Sequence, residues 1–279
     1  DTILAVGPRL SQSTTFYDNR FIPADAKIIQ IEIDPQEIGR NYPVAVGIEG
    51  DAKAVMEGLL EKVREGEPKP NAQWVSEIHD LAARRISRLD DEGNDNSSLM
   101  KPQKVYAELR KVMPRDAIIA LDAGLAPNYG QDRLNYYEPK SLITSLDLGG
   151  LGFSFPAAIG AKFAAPDRPV INFNGDGGFL FNAQEFSTAV QYNLPLVTVI
   201  MNNGIWGSEK AYQRYAFDER YVGADVVNPR YDKYAEIFGG AGFYVERPED
   251  IGNALIEALN CGKPSIIEIP TDPDEMPRP

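Results

Sequence analysis

The first chemically suggestive feature of this 279-residue chain is a pair of polar, glycine-rich stretches at a fixed interval. The apolar run Val170 to Phe173 passes into Asn174-Gly175-Asp176-Gly177-Gly178, and a second run, Leu196 to Met201, passes into Asn202-Asn203-Gly204-Ile205-Trp206-Gly207. If the two runs are neighbouring parallel strands, Asp176 and Asn203 leave adjacent carboxyl ends, the place where open α/β sheets bind ligands. One carboxylate and one amide oxygen are hard ligands. They are too few to hold Mg2+ alone, but they suit it when a diphosphate and water complete an octahedron at about 2.0 to 2.1 Å. The glycines let backbone N–H groups approach phosphate oxygens, and a helix opening near Asn182 would aim its positive end at the same place. Each stretch also has an ordinary reading, Gly-Asp-Gly as a turn and Asn203-Gly204 as a hairpin signal. Their combination across an intact strand-helix-strand unit favours a site.

The elements that must position these residues follow from hydrophobic periodicity. Strands are predicted at Ala117 to Leu121, Val170 to Phe173, Leu196 to Met201 and Ser265 to Ile269, and Pro102 suits the first turn of a helix carrying Val105, Leu109 and Val112. Ile251, Ala254, Leu255, Ala258 and Leu259 recur at the spacing of one helix face. Strands separated by helices imply an α/β fold with a doubly wound, mostly parallel sheet. Nearer the start, Ile3 to Val6 and Ile28 to Ile33 read as parallel strands buried on both faces, with Val55, Leu59, Leu60 and Val63 on a helix after Gly50-Asp51. Glu65 to Asn71 and Asp90 to Ser98 are rich in breakers or polar residues, so the helix around Gln73 to Arg88 between them reads as a connector. The predicted boundaries are therefore 1–66, 67–100 and 101–279.

Composition narrows the partners. A net charge of -13 argues against nucleic acid or an anionic membrane surface. The single cysteine, Cys261, excludes an intrachain disulfide framework and fits a cytoplasmic location, and no apolar run reaches the length of a membrane span. Asp1 is followed at once by a core-like strand, Thr2 to Gly7, which leads us to expect the C-terminal part of something longer, trimmed, nicked or encoded in two pieces.

Taken together, Gly175-Asp176-Gly177 and Asn202-Asn203 resemble the thiamine-diphosphate motif of the pyruvate-oxidase and acetolactate-synthase superfamily. Gly149-Gly150-Leu151-Gly152-Phe153-Ser154-Phe155-Pro156 resembles that family's segment beneath the cofactor. Ile31-Glu32-Ile33-Asp34-Pro35 with Gly50-Asp51-Ala52 resembles the end of its Rossmann-like central domain. The resemblance implies that 1–66 is the C-terminal part of the central α/β domain, 67–100 a connector helix and linker, and 101–279 the diphosphate-binding domain. The stretch from Asn203 to Lys210 is more similar to sulfoacetaldehyde acetyltransferases than to acetolactate synthases proper.

Carried over by position, the resemblance implies that Asp176 and Asn203 bind Mg2+ by side chain and Ile205 by its carbonyl. It implies backbone contacts to thiamine diphosphate around Gly175, Gly177 and Gly178, the last standing where family members often carry Ser. Asp122 and Gly124 would meet the diphosphate, the Gly149 carbonyl would accept from the aminopyrimidine beside Gly150, and Leu151 would wedge the cofactor into a bent shape. Trp206 and Gly207 would line the cofactor pocket, and Glu209 would shuttle protons or anchor substrate, the alternative being a solvated helix acid paired with Lys210. Plain core is the competing reading of Leu151, and His79 is expected at a surface or interface. Arg9, Ser11, Gln12 and Asp34 lie where related central domains meet an adenine nucleotide or FAD. The implied activity is carbon–carbon bond formation or cleavage on a 2-oxo acid or related carbonyl donor, of acetolactate synthase or sulfoacetaldehyde acetyltransferase type. A 2-oxo acid decarboxylase is the alternative enzyme, and a non-catalytic nucleotide-binding regulatory module the alternative of another class. The family's activating Glu belongs to a pyrimidine-binding domain that no segment here resembles. The implied partners are an upstream pyrimidine-binding half and a homo-dimer or tetramer.

Overall fold

In a computed structural model, which describes residues 2–66, 71–95, 97–145 and 148–276, the chain divides into two units, Asp1–Asp80 and Leu81–Pro279. In the first, β1 (Thr2–Val6), β2 (Lys27–Glu32) and β3 (Val46–Glu49) form a parallel sheet in that order. A short α1 (Gln12–Thr15) follows β1, and α2 (Ala52–Glu65) starts where the Asp51 carboxylate accepts from Ala54 N at 3.0 Å. The expectation of strands buried on both faces holds at the centre of β2, where Ile28 and Gln30 on one face and Ile31 on the other are buried, and fails for β1. Ala5 and Ile28 are buried, but Leu4, Val6 and Ile33 are exposed; α2 buries no residue, and its Leu60 and Val63 face solvent. A small cluster around Leu10 and Ile22 covers the face of the layer that carries Ala5 and Ile28.

The helix α3 (Ala72–Gly93) contains the division between the units and runs five residues past the predicted end of the connector at Arg88. Its last turn is held by packing and charge that local composition does not reveal. Leu89 is buried, Asp90 pairs with Arg110 at 2.6 Å, Glu92 pairs with Arg133, and a Cβ on Gly93 would lie 2.7 Å from that of Ala107. Of the two breaker-rich stretches, positions 67–70 and 96 lie outside the described residues.

The second unit carries α4 (Pro102–Arg110), β4 (Ile118–Leu121), α5 (Leu125–Arg133), β5 (Leu142–Thr144), α6 (Ser154–Ala164), β6 (Val170–Gly175) and α7 (Asp176–Leu180). It continues with α8 (Phe186–Gln191), β7 (Val197–Asn202), α9 (Gly207–Ala216), α10 (Tyr231–Ile237), β8 (Ala241–Tyr244), α11 (Pro248–Asn260) and β9 (Ser265–Pro270). All six strands are parallel in the order β5-β4-β6-β7-β9-β8, a doubly wound sheet. Alternation divides its core into two layers. Ile119, Leu121, Ile171, Phe173 and Val199 pack under α4 and α11, whereas Ile118, Ala120, Val170 and Ile200 pack under α6, α8 and α10. Asn172, Asn174 and Thr198 are fully buried polar residues in the same central strands. The short β5 and the glycine-bearing edge strand β8 carry no pattern long enough to read from sequence.

Candidate functional site

The register Leu121↔Phe173 and Gly175↔Met201 brings the exits of β4, β6 and β7 side by side, so Asp122, Asp176 and Asn203 leave three adjacent strands at their carboxyl ends. They border one cleft of about 290 Å3. Apart from Gly150, every residue that the resemblance assigned to thiamine diphosphate, Mg2+ or substrate lines it: Asp122, Gly124, Gly149, Leu151, Gly175, Asp176, Gly177, Gly178, Asn203, Ile205, Trp206, Gly207 and Glu209. The hairpin reading of Asn203-Gly204 is excluded, because β7 pairs in parallel on both sides; Gly204 instead takes φ +68° and turns the chain toward α9.

Asp176 is buried, and its Oδ2 accepts from Gly204 N at 3.1 Å and Asn228 Nδ2 at 2.6 Å. Burial pushes its carboxyl above the ordinary range, while Asn228 and nearby backbone amides pull it back. The helix expected near Asn182 is present, since a 3-10 turn over Ala183–Glu185 follows Asn182 and runs directly into α8 at Phe186, and a further short helix, α7, opens six residues earlier at Asp176. Its glycines are dictated by close approach. A Cβ on Gly177 would sit 2.6 Å from the Trp206 ring, and one on Gly178 would sit 2.6 Å from Asp122 Oδ2. The second distance gives a physical reason for Gly at position 178.

The Asp122 carboxylate is fully buried and works inside the chain. Oδ2 accepts from Gly152 N at 2.9 Å and Asn174 Nδ2 at 2.9 Å, and Oδ1 accepts from Ser154 N at 3.1 Å. The two amides bracket the turn just after Leu151, so Asp122 anchors the segment that presents Leu151 to the cleft. Burial raises its carboxyl, and these donors oppose the rise. Gly149 and Gly152 adopt φ +66° and +78°, and Gly152 has no room for a Cβ, which would lie 2.6 Å from that of Phe181. Leu151 itself is half-buried rather than core.

Ile205 forms a bridge with Asp225 through bonds from Val226 N to Gly204 O (2.8 Å) and Trp206 N to Ala224 O (2.7 Å), neither of which involves the Ile205 carbonyl between them. Trp206 packs edge-on against Phe181 at 5.9 Å. Glu209 lies exposed in the first turn of α9, and Lys210 pairs with Asp225 at 3.1 Å instead of with it. His79 is exposed on α3. In the first unit, Ser11 sits at the start of α1 after β1, and Asp34 follows β2, its Oδ1 accepting from Gln36 N at 2.9 Å.

Residues 122–269 match the C-terminal thiamine-pyrophosphate-binding domain of thiamine pyrophosphate enzymes, and residues 1–59 match their central domain. The chain belongs to the thiamine pyrophosphate enzyme family. A probable acetolactate synthase large subunit of Methanococcus aeolicus is 34% identical to it over 98% of this chain and 47% of that protein. One from Methanocaldococcus jannaschii is also 34% identical, over 99% of this chain and 47% of its own length. A sulfoacetaldehyde acetyltransferase of Castellaniella defragrans is 29% identical over 96% and 49%. The chain spans about half the length of the curated relatives it matches.

Among the described residues, no group of three or more His, Cys, Asp or Glu side chains could hold a metal ion, and no helix is long and apolar enough to cross a membrane. Sequence reasoning did not single out Asn128, Thr144 and Met201 in the lining. It also missed Asn228 and Tyr231 behind Asp176, although the Asn228-Pro229 dipeptide before an aromatic helix start was a readable turn signal.

Proposed function

We propose that this chain supplies the diphosphate-binding half of a cytoplasmic, Mg2+-dependent thiamine-diphosphate enzyme that makes or breaks a carbon–carbon bond at a 2-oxo acid or related carbonyl donor. The observation that carries the reading is the buried Asp176 carboxylate opposite Asn203, in one cleft with a rim of glycine backbone and the half-buried Leu151. The residues fit the cofactor. No neighbouring atom lies within 4 Å of a Cβ built on Gly149, Gly150 or Gly175, so a ligand can approach the backbone there. The hard oxygen donors suit Mg2+, and a diphosphate supplies the negative ligands that the chain does not.

In this reading Asp176, Asn203 and the Ile205 carbonyl hold the cation, and the amides of Gly177 and Gly178 face the diphosphate. Gly124 and Gly207 leave room for it, and the Gly149 carbonyl, beside Gly150, accepts from the aminopyrimidine. When bound, the cofactor supplies a carbon nucleophile and an electron sink for cleaving a bond next to a carbonyl. Leu151 would pack against the rings of the bound cofactor, Trp206 would wall the substrate side, and Glu209 would anchor substrate or carry a proton at its carboxylate. Asp122 acts through the Leu151 segment. Names among the relatives support acetolactate synthase-like or sulfoacetaldehyde acetyltransferase-like chemistry. The half-length match supports an upstream pyrimidine-binding half as partner, and exposed Phe153, Leu180 and Phe181 support a dimer or tetramer. Any flavin would sit at the carboxyl ends of β1 and β2, near Arg9, Ser11, Gln12 and Asp34, and would show as flavin absorbance of the purified protein.

The test is to assay pyruvate consumption with thiamine diphosphate and Mg2+, with and without a separately expressed pyrimidine-binding half. We expect turnover only with both; turnover by this chain alone would overturn the split-site reading and make Glu209 the first residue to examine. Leu151→Ala in the assembled enzyme is expected to slow deuterium exchange at the thiazolium C2 about tenfold to a hundredfold. Cofactor affinity should change far less, because the diphosphate end is held elsewhere. Equal exchange rates would return Leu151 to a packing role.

A further inference from the structure

Behind Asp176 lies a chain of side chains in which each amide's orientation is set by its neighbour. Glu268, on β9, is buried; its Oε2 accepts from Tyr231 N at 2.7 Å and its Oε1 from Asn202 Nδ2 at 2.8 Å. An ionised carboxylate only accepts, so Asn202 must turn its NH2 toward Glu268 and its oxygen the other way. That oxygen accepts from Gly204 N at 3.2 Å and from Asn228 Nδ2 at 3.0 Å. Asn228 is thereby committed as a donor, and the same NH2 group reaches Asp176 Oδ2 at 2.6 Å. Its own oxygen accepts from the Tyr231 hydroxyl at 2.8 Å, a group also 2.9 Å from the Asp176 carbonyl. The Tyr231 ring is fully buried between α10 and the sheet, which fixes the far end of the chain.

We propose that Glu268, Asn202 and Asn228 form a positioning relay that sets which oxygen of Asp176 meets the cation. By giving its NH2 to Oδ2, Asn228 leaves Oδ1 as the metal-facing oxygen, and Glu268, which touches neither cation nor cofactor, fixes the amide orientation that makes this possible. This rests on the cation reading above and adds residues to it. Partners of this kind around a metal ligand change metal affinity by about tenfold to a hundredfold.

The experiment uses the chain assembled with a pyrimidine-binding half and reads, by calorimetry, the Mg2+ concentration at which thiamine diphosphate binding is half-maximal. Asn228→Ala is expected to raise that concentration about tenfold or more, with kcat at saturating Mg2+ and cofactor within about twofold. Glu268→Gln keeps the size of the side chain and an oxygen for the start of α10, but presents NH2 to Asn202 and forces that amide to reverse. It should raise the Mg2+ requirement too. Adding Asn202→Asp restores a consistent order, since the new carboxylate accepts from Gln, from Gly204 N and from Asn228, so the double variant should recover most of the loss. An unchanged Mg2+ requirement in Asn228→Ala, or a double variant no better than Glu268→Gln, overturns the relay. If Glu268→Gln does not fold, Asn228→Ala, at a half-buried loop position, decides alone. Cofactor binding by the unmodified assembly with no dependence on divalent cation would instead overturn the cation reading, and the relay with it.

Discussion

Replacing Asp176 by Ala is expected to lower thiamine-diphosphate affinity in the assembled enzyme by about a hundredfold or more and to remove its dependence on Mg2+. Asp176 is the single carboxylate of the proposed cation site, and without it the diphosphate faces an acidic protein with no bridging charge. Removing one partner of a buried charge pair costs about 2 to 5 kcal/mol, and 1.4 kcal/mol is tenfold in affinity. The substitution also orphans Gly204 N and Asn228 Nδ2, so the fold loses some stability. Asp176→Asn separates the effects. It keeps the volume and an acceptor for these donors but not the charge, so it should lose cofactor affinity while melting close to the unmodified protein. Unchanged affinity by calorimetry in either variant would remove Asp176 from the cation site.

What the sequence carried was the alternation of strands and helices in the second unit and the chemistry at two strand ends. The runs before Asn174 and Asn202 are buried parallel strands, and their registry brings Asp176 and Asn203 to one cleft. Local pattern failed where tertiary contact decides. The alternative reading of Gly175-Asp176-Gly177 was a turn, yet α7 starts at Asp176, and its glycines stand where Trp206 and Asp122 leave no room for side chains. Gly93 and the charged residues before it read as linker, yet ion pairs to Arg110 and Arg133 extend α3. Buried polar residues were hardest to foresee. Asn172, Asn174 and Thr198 interrupt strands that otherwise read as apolar, and their purpose becomes visible only in the hydrogen bonds that lead to Asp122.

Those bonds give the largest effect expected on stability. Asp122→Ala leaves Gly152 N, Ser154 N and Asn174 Nδ2 facing a buried gap, and each unsatisfied donor costs about 1 to 3 kcal/mol. Part of this is offset, because the carboxylate's own burial is unfavourable, as its raised pKa indicates. A net loss of about 3 kcal/mol is the reasonable expectation, which in a unit of this size lowers Tm by roughly 6 to 12 °C. Asp122→Asn should fall between, since its NH2 must point at one of the three donors. The cofactor-free protein is the right material, because direct contact of Asp122 with a diphosphate makes the opposite forecast there. A residue serving only the ligand would leave the cofactor-free melting point unchanged and lower cofactor affinity. An anchor for the Leu151 turn lowers the melting point before any cofactor is added and speeds amide exchange at Gly152 and Ser154. Unfolding midpoints with amide exchange therefore decide whether Asp122 acts on the cofactor itself or on the turn that carries Leu151.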